Sequence, residues 1–537
     1  MAVQDVFIRR SSGLTRQISP RDALMYAAMN PGLLFSCVYI MWAPIAYQGA
    51  HMGAAVAWVL LMFPIAGLYW YFSVAMPRSG GEYIYISRAL HPALGLWASF
   101  MISVTGISWL GVLTDWWIKW GLNDAIRGIG IIQQNQGLIS LADTLDGNWP
   151  RFIIGSISIL LVTGWVFLKG TRLMMRLSYW AVAVSWLAVL IIAGLALFAG
   201  QGAFQANFDR LSGTTYQAVL DAGRRAGAVF EVSFYATMLA GVSYVALNTL
   251  GATYSANLAG EIRGVSRSQA LALFGSLIIQ MAIWFAMYQL LYVGVGREFI
   301  HSMDTLYNFG STQQGYPPAF VTPAGSDPFP TLYVAFLSAN PILVAIFGLC
   351  FLVSTWASAA GLAFAPIRNI FAWSFDRLVP TKLSEIGSKY RAPTWAVVVT
   401  VLAAYVFFFL DVWRPDIVTG ILYSTAAWFL GWIILGIAGI VFPYRRRELF
   451  ESAPLVTQTR IAGIPVISIL GAATLVVSLF VEWAVVKPFL DGIVGWDAMW
   501  PVYVMAVIPV VIYVVAHFYH QSRGIPLALQ FSQVPPE

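Results

Sequence analysis

The chain has 537 residues, 59% of them hydrophobic, 15% aromatic and only 10% charged, with a net charge of +6. Soluble domains carry about 25% charged residues, so a soluble globular protein is excluded, and repeated apolar runs of about 18 residues or more make this a polytopic membrane protein. The basic residues sit in short loops between those runs, so the charge implies no nucleic-acid partner. Cys37 and Cys350 lie inside apolar runs, which implies neither a disulfide framework nor a metal site.

Twelve spans are predicted, at roughly 23–46, 54–75, 95–118, 151–168, 177–199, 235–260, 268–294, 341–364, 393–411, 417–443, 464–486 and 499–519. No cleavable signal peptide is visible: a polar start with Arg9, Arg10 and Arg16 leads directly into span 1. An even count places both termini on one side. With that side cytoplasmic, the outer loops hold only Lys119, Arg127, Arg151, Arg210, Arg224, Arg225, Arg297, Arg414 and Lys487, while every other Lys and Arg is inside. Asp143, Asp146, Asp209, Asp304, Asp327, Asp411 and Asp416 lean outward. The predicted location is the plasma membrane, with both termini in the cytoplasm.

The inner loop 76–92 carries a Gly-Gly pair with alternating aromatics, and 368–395 reads as an amphipathic segment along the membrane surface. The outer loops 119–150 and 295–340 are longer, the second a Pro/Gly-rich cap. Trp116, Trp117, Trp120, Trp496 and Trp500 fall at outer span ends, where an aromatic belt is expected. Asp115 has Lys119 at i+4 and is predicted to form a surface helix pair with it.

Two spans carry interruptions. Span 1 holds Asn30-Pro31-Gly32 in its first half, and Pro31 removes a backbone donor and pushes Asn30 out of helical geometry. Span 6 holds Leu247-Asn248-Thr249-Leu250-Gly251-Ala252-Thr253, where glycine and polar residues persist in an apolar run. In a bilayer such backbone is tolerated only beside protein or a water-filled cavity. Interruptions at matching places in two halves point to a transporter site between inverted repeats. A plain proline kink and a small-residue packing face are the alternatives. The fold class is thus an all-α polytopic membrane protein with about 12 transmembrane helices, a 5+5 inverted repeat with broken helices 1 and 6, and two extra helices. Its parts are a cytoplasmic segment 1–22, a first repeat 23–200, a second repeat 201–445, helices 11 and 12 over 446–520, and a cytoplasmic tail 521–537.

Three stretches resemble the amino acid–polyamine–organocation permeases. Pro77-Arg78-Ser79-Gly80-Gly81-Glu82-Tyr83 is similar to that superfamily's P-x-[SA]-G-G-x-Y loop. Gly251-Ala252-Thr253 with Asn257-Leu258-Ala259-Gly260-Glu261 resembles its G-x-E-x-x-x-N-L-A-x-E pattern. Arg368 through Asp376-Arg377-Leu378-Val379-Pro380 resembles its R…A-x-D-G-x-[LF]-P segment. The likeness covers about 20 to 445. Thr253 replaces a frequent acidic residue, Ser185 falls where some members carry a lysine, and MNPGLLF stands for G-[SA]-G-I-F.

The resemblance implies a small-molecule substrate, an amino acid or amine, whose carboxylate is held by backbone N–H groups at the span-1 break and whose ammonium meets carbonyls at the other half-helix ends. Helix-end partial charges suit a zwitterion without any buried ionic side chain. The candidate substrate residues are Asn30, Pro31, Gly32, Gly106, Trp109, Leu247, Asn248, Thr249, Gly251 and Thr253, with Ile102 beside them, and they favour a neutral or apolar side chain. Ordinary core packing is the alternative for each. Ser185, Thr355 and Ser358 offer hard oxygens for Na⁺, with H⁺ as the other coupling ion and helix packing as the bland reading. Glu261 is a candidate inner gate, pairing with Arg78, Arg88 or Arg368. No organic cofactor and no metal site are expected, and a monomer or homodimer in the lipid bilayer is. Within transporters the alternatives are a polyamine or organic-cation permease and an amino acid exchanger; outside them, a sensor without turnover. A membrane enzyme is disfavoured because His51, His91, His301, His517 and His520 are scattered over both faces.

Overall fold

The structure is a computed structural model that describes residues 14–308, 315–323, 328–387, 389–415, 417, 424–492, 495–524 and 531. Arg9, Arg10, Asp327, Asp416 and most of the predicted tail lie outside the described residues. The protein is built almost wholly of helices; a two-residue hairpin, Arg460–Ile461 with Ile464–Pro465, precedes span 11.

Among the described residues, ten helices are long and apolar enough to cross a membrane: Met52–Ala75, Pro92–Gln133, Asn148–Lys169, Thr171–Leu211, Val265–Asn308, Pro341–Phe375, Thr394–Trp413, Ala426–Arg445, Val466–Leu490 and Trp496–Gln521. They answer to predicted spans 2–5 and 7–12. The two predicted spans absent from that set are 1 and 6, and both change backbone geometry partway. Local sequence fixes how span 1 begins. Ser19 caps Pro20–Met29 reciprocally with Asp22, at 3.2 Å and 2.9 Å, and Pro20 sits where no donor is needed.

Lipid supplies no hydrophobic drive between helices, so small residues set where spans touch. A Cβ at Gly471 would lie 2.6 Å from the Ile440 nitrogen, and one at Gly111 would lie 2.6 Å from the Phe408 nitrogen, so spans 10 and 11, and spans 3 and 9, meet backbone to backbone. Peripheral spans turn Trp180, Leu190, Val476 and Val515 outward, whereas every residue of Thr249–Glu261 in span 6 is buried.

Four expectations are corrected. The segment 368–395 does not begin along the membrane surface: span 8 runs on to Phe375 with Arg368–Ser374 buried, because Arg368 and Asn369 find partners inside the bundle. Trp116, Trp117 and Trp120 are buried at 6%, 6% and 3% exposure and so face protein rather than a lipid belt, whereas Trp496 and Trp500 are exposed. The helix of span 3 also continues past the predicted outer loop start, to Gln133. Lastly, Asp115 does pair with Lys119 at i+4, 3.6 Å away, but not at the surface: it is buried, and Arg151 Nη1 donates to both its oxygens at 2.6 and 2.7 Å. Leaving one member of a buried pair alone costs about 3–5 kcal/mol. Arg151→Met should therefore lower the melting temperature in detergent well below that of Asp115→Leu/Arg151→Met; equal losses would show the pair to be incidental.

Candidate functional site

The first half of span 1 ends at Asn30, whose N–H still bonds Tyr26 O at 3.2 Å. Asn30 itself keeps helical dihedrals, φ −57° and ψ −39°, so the expectation that Pro31 pushes it out of helical geometry is corrected; the chain turns at Gly32, φ +73°, a conformation that L side chains rarely adopt. A Cβ at Gly32 would also strike the Phe35 ring. Helix resumes over Phe35–Ala46, first as a 3₁₀ turn through Val38. The Ser36 hydroxyl returns to Gly32 O at 2.5 Å, closing the turn.

Span 6 is interrupted differently. Phe234–Ala240 is α-helical, Gly241–Ala246 widens to a π-helix, and Thr249–Glu261 tightens to 3₁₀. The expected unwound gap at Gly251 is therefore corrected to a change of pitch. Such long 3₁₀ runs are uncommon and mark hinges or strain. Thr249 and Thr253 return their hydroxyls to Ala246 O at 2.6 Å and Leu250 O at 3.0 Å, so they satisfy their own helix rather than a solute. Gly251 is where the two interruptions touch: a Cβ there would lie 2.9 Å from the Asn30 carbonyl carbon and from Asn30 Cβ.

Beside that contact is a small cavity lined by Asn30, Pro31, Phe35, Tyr39, Trp109, Leu247, Asn248, Leu250, Gly251, Leu362 and Trp428. Six of the ten candidate substrate residues thus come together. Gly32, Gly106, Thr249 and Thr253 lie outside the lining. Gly106 and Ile102 instead seat Tyr254, whose hydroxyl donates to Ile102 O at 3.0 Å and would lie 2.3 Å from a Cβ at Gly106. Sequence reasoning missed Phe35, Tyr39, Leu250, Leu362 and Trp428. The signal for Leu362 was its neighbour Gly361, where a Cβ would meet Asn30 Oδ1 at 2.0 Å.

The lining is aromatic and aliphatic around two amides, and no charged side chain is among it. Asn248 accepts from Tyr39 Oη at 3.4 Å and donates to Ser36 Oγ. The Asn30 amide, fully buried near the Tyr26 hydroxyl, makes no hydrogen bond with defined geometry among the described residues. On one side of the cavity, Phe35 stacks on Trp109 at 6.0 Å, Trp116 abuts both, and Trp42 and Trp120 continue the pile.

At the far end of span 6, Glu261 accepts from Arg368 Nε at 2.9 Å and from the Thr171 hydroxyl at 2.6 Å, and Arg368 Nη2 donates to the Thr171 hydroxyl oxygen at 2.9 Å. Both charged side chains are 1% exposed. Of the three arginines named for Glu261, Arg368 is the partner. Arg88 pairs with Asp376 at 2.7 Å, helped by the Tyr83 hydroxyl at 2.8 Å, and Arg78 donates to Pro77 O at 3.0 Å. At the candidate cation site, Ser185 Oγ bonds Ala181 O at 2.7 Å and Ser354 Oγ at 2.8 Å, while Ser358 Oγ reaches Met29 O at 2.8 Å and Ser354 O at 2.9 Å. The Thr355 hydroxyl is buried and makes no hydrogen bond among the described residues.

A helical membrane bundle closed around a small cavity, with two interrupted spans meeting beside it, has the build of a membrane transporter. The family model for amino acid permeases matches residues 23–515, so the chain belongs to the amino acid permease family, within the APC superfamily. That is a family of transporters and not of enzymes. No curated protein compared with the chain matches it.

Proposed function

We propose that the protein is a secondary active transporter that carries neutral, chiefly apolar amino acids across the plasma membrane by alternating access, with both termini in the cytoplasm. The observation that carries this reading is the lining itself: aromatic and aliphatic side chains, two amides and no charge. A substrate with a charged side chain would be desolvated there without a partner, at a cost of several kcal/mol, whereas a zwitterion's backbone charges can be met by helix ends. The carboxylate belongs at the start of Phe35–Ala46, the partly positive end of that helix, although the Ser36 and Cys37 N–H groups there also bond Gly32 O and Leu34 O at 3.3 and 2.9 Å. The Asn30 amide, without a hydrogen bond of its own, supplies a further polar contact.

Thermal denaturation of the purified protein against single amino acids and amines tests the reading. Binding at about 100 times Kd stabilises the folded state by roughly 2.7 kcal/mol. Leucine-like or aromatic zwitterions are expected to raise the melting temperature, and lysine, glutamate and polyamines to leave it unchanged. Stabilisation by a polyamine and by no neutral amino acid would reverse the assignment.

Sodium is not part of this reading. Ser185 and Ser358 spend their hydroxyl protons on Ala181 O, Ser354 O and Met29 O, which ties these oxygens to the helices, and of the three candidate hydroxyls that of Thr355 makes no hydrogen bond among the described residues. Uptake into liposomes at fixed pH should therefore be the same with Na⁺ or K⁺ outside; faster uptake with Na⁺ alone would restore the cation site.

A further inference from the structure

Three acidic and two basic side chains are buried together at the inner end of the bundle: Glu82, Glu261 and Asp376 with Arg88 and Arg368. Glu261 is matched by Arg368, and Asp376 by Arg88. Glu82 is left over. It is 1% exposed in the first turn of the short helix Gly81–Ala89, and the donors that reach its carboxyl are neutral. Asn369 Nδ2 lies 3.0 Å from Oε1, Asn257 Nδ2 lies 3.3 and 3.4 Å from the two oxygens, and the Tyr69 hydroxyl lies 3.5 Å from Oε2. Asn369 Nδ2 also reaches Ser103 Oγ at 2.9 Å, and its Oδ1 accepts from Asn257 at 2.8 Å. This one carboxyl therefore ties the Gly81–Ala89 helix to spans 2, 3, 6 and 8.

The surroundings suit a neutral acid rather than a carboxylate: the side chains that reach Glu82 are all neutral, and their contacts run from 3.0 to 3.5 Å, longer than the roughly 2.7–2.9 Å of charge-assisted bonds. Other ionisable groups on the elements packed around it are Tyr69 on span 2, Tyr254 and Glu261 on span 6, Arg368 and Asp376 at the end of span 8, Tyr83, Tyr85 and Arg88 on its own helix, and Arg446 beyond span 10, which donates to Arg88 O. Span 3 presents only Ser99 and Ser103 there.

We propose that Glu82 is a proton-binding site whose occupancy holds the inner gate shut. With the proton bound, three acids and two arginines carry no net charge and the cluster stays dry. When the proton passes to cytoplasmic water, one carboxylate is left without a counter-charge, water enters, and the inner ends of spans 6 and 8 separate. Burial pushes the Glu82 carboxyl up to about 7, against the lowering pull of its own backbone hydrogen bond and of those from Asn369, Asn257 and Tyr69. The closed gate is therefore favoured below neutral pH and lost as pH rises through it. The inference rests on the alternating-access reading for its link to transport, but the proton site is measured separately.

Cys37 and Cys350, both buried, are first replaced, and a reporter is introduced by Ala365→Cys, on the span-8 face shared with Arg368 and Asn369. Its labelling rate, normalised at each pH to the unfolded protein, should rise roughly tenfold from one pH unit below the Glu82 midpoint to one unit above. Glu82→Gln, which mimics the protonated acid, should label slowly at every pH. Difference infrared spectra should show a carboxylic C=O band that disappears on raising the pH and is missing from Glu82→Gln. A Glu82→Gln protein that keeps the wild-type pH dependence, or an infrared difference that does not involve Glu82, overturns the proposal. A protein that binds no amino acid in thermal denaturation, yet shows the band and the pH-dependent labelling, would overturn the substrate reading and leave the proton site standing.

Discussion

Gly251→Ile is expected to abolish substrate binding while leaving the bundle folded. A Cβ at this position already lies 2.9 Å from the Asn30 carbonyl carbon, from Asn30 Cβ and from Leu362 Cδ2. Two of those three atoms belong to, or are rigidly fixed on, the backbone of span 1, so they cannot rotate away. The rest of the isoleucine side chain must then occupy the cavity that Gly251 lines. Overpacking of this kind costs about 1–3 kcal/mol in stability, which a large bundle survives, but the site is lost as a space. Gly251→Ala should weaken binding by a smaller factor. Gly194→Ile, on span 5 where a new Cβ meets nothing within 4 Å, should bind as the wild type does. The readout is the ligand-induced rise in melting temperature. Normal binding by the Gly251→Ile protein would mean that the substrate sits elsewhere.

The break in span 1 was legible in the sequence because proline and a glycine at positive φ act locally. The one in span 6 was only half legible. Gly251 and its threonines mark the place, but whether such a stretch unwinds or tightens to 3₁₀ depends on what it packs against, and here it packs on Asn30. The same divide runs through the cavity. Trp109 and Leu247 followed from register on spans already suspected, whereas Phe35, Tyr39, Leu362 and Trp428 are aromatic or aliphatic residues in apolar runs full of them. Ion pairing was half legible. Helical spacing gives Asp115 its Lys119 neighbour, at 3.6 Å, but Arg151, 36 residues on, takes both oxygens. Glu82 stood in plain view in the Pro77–Tyr83 motif, but its burial comes from Asn257 and Asn369, 175 and 287 residues away. No local pattern encodes such contacts.

The second large effect is expected at the Glu261–Arg368 pair. Arg368 spends Nε and Nη2 on Glu261 and Thr171, at 2.9 to 3.3 Å, and lies 4.2 Å over the Phe364 ring. Glu261 also anchors the N-terminal segment, since its carbonyl accepts from Gln17 N at 2.9 Å and Ile18 N at 3.0 Å. That anchor is backbone and survives Glu261→Gln, so the substitution isolates the charge. It leaves a buried guanidinium without its counter-ion, a loss of about 3–5 kcal/mol for the closed inner gate. Two conformations of a transporter differ by only a few kcal/mol, so the populations should invert towards the inward-open form. At fixed pH, labelling of the Ala365→Cys reporter should rise by roughly two orders of magnitude or more, at about 1.4 kcal/mol per tenfold. Glu261→Gln/Arg368→Met, which removes both charges and keeps similar bulk, should return the labelling most of the way to wild type. Substrate affinity of the outward-facing site should change little, because neither residue lines the cavity. Unchanged labelling together with lost affinity would move Glu261 from the gate to the substrate. Labelling that rises equally in the single and double variants would show that the lost bonds of the Glu261 carboxylate to Thr171 and Arg368, and not a stranded arginine charge, open the gate.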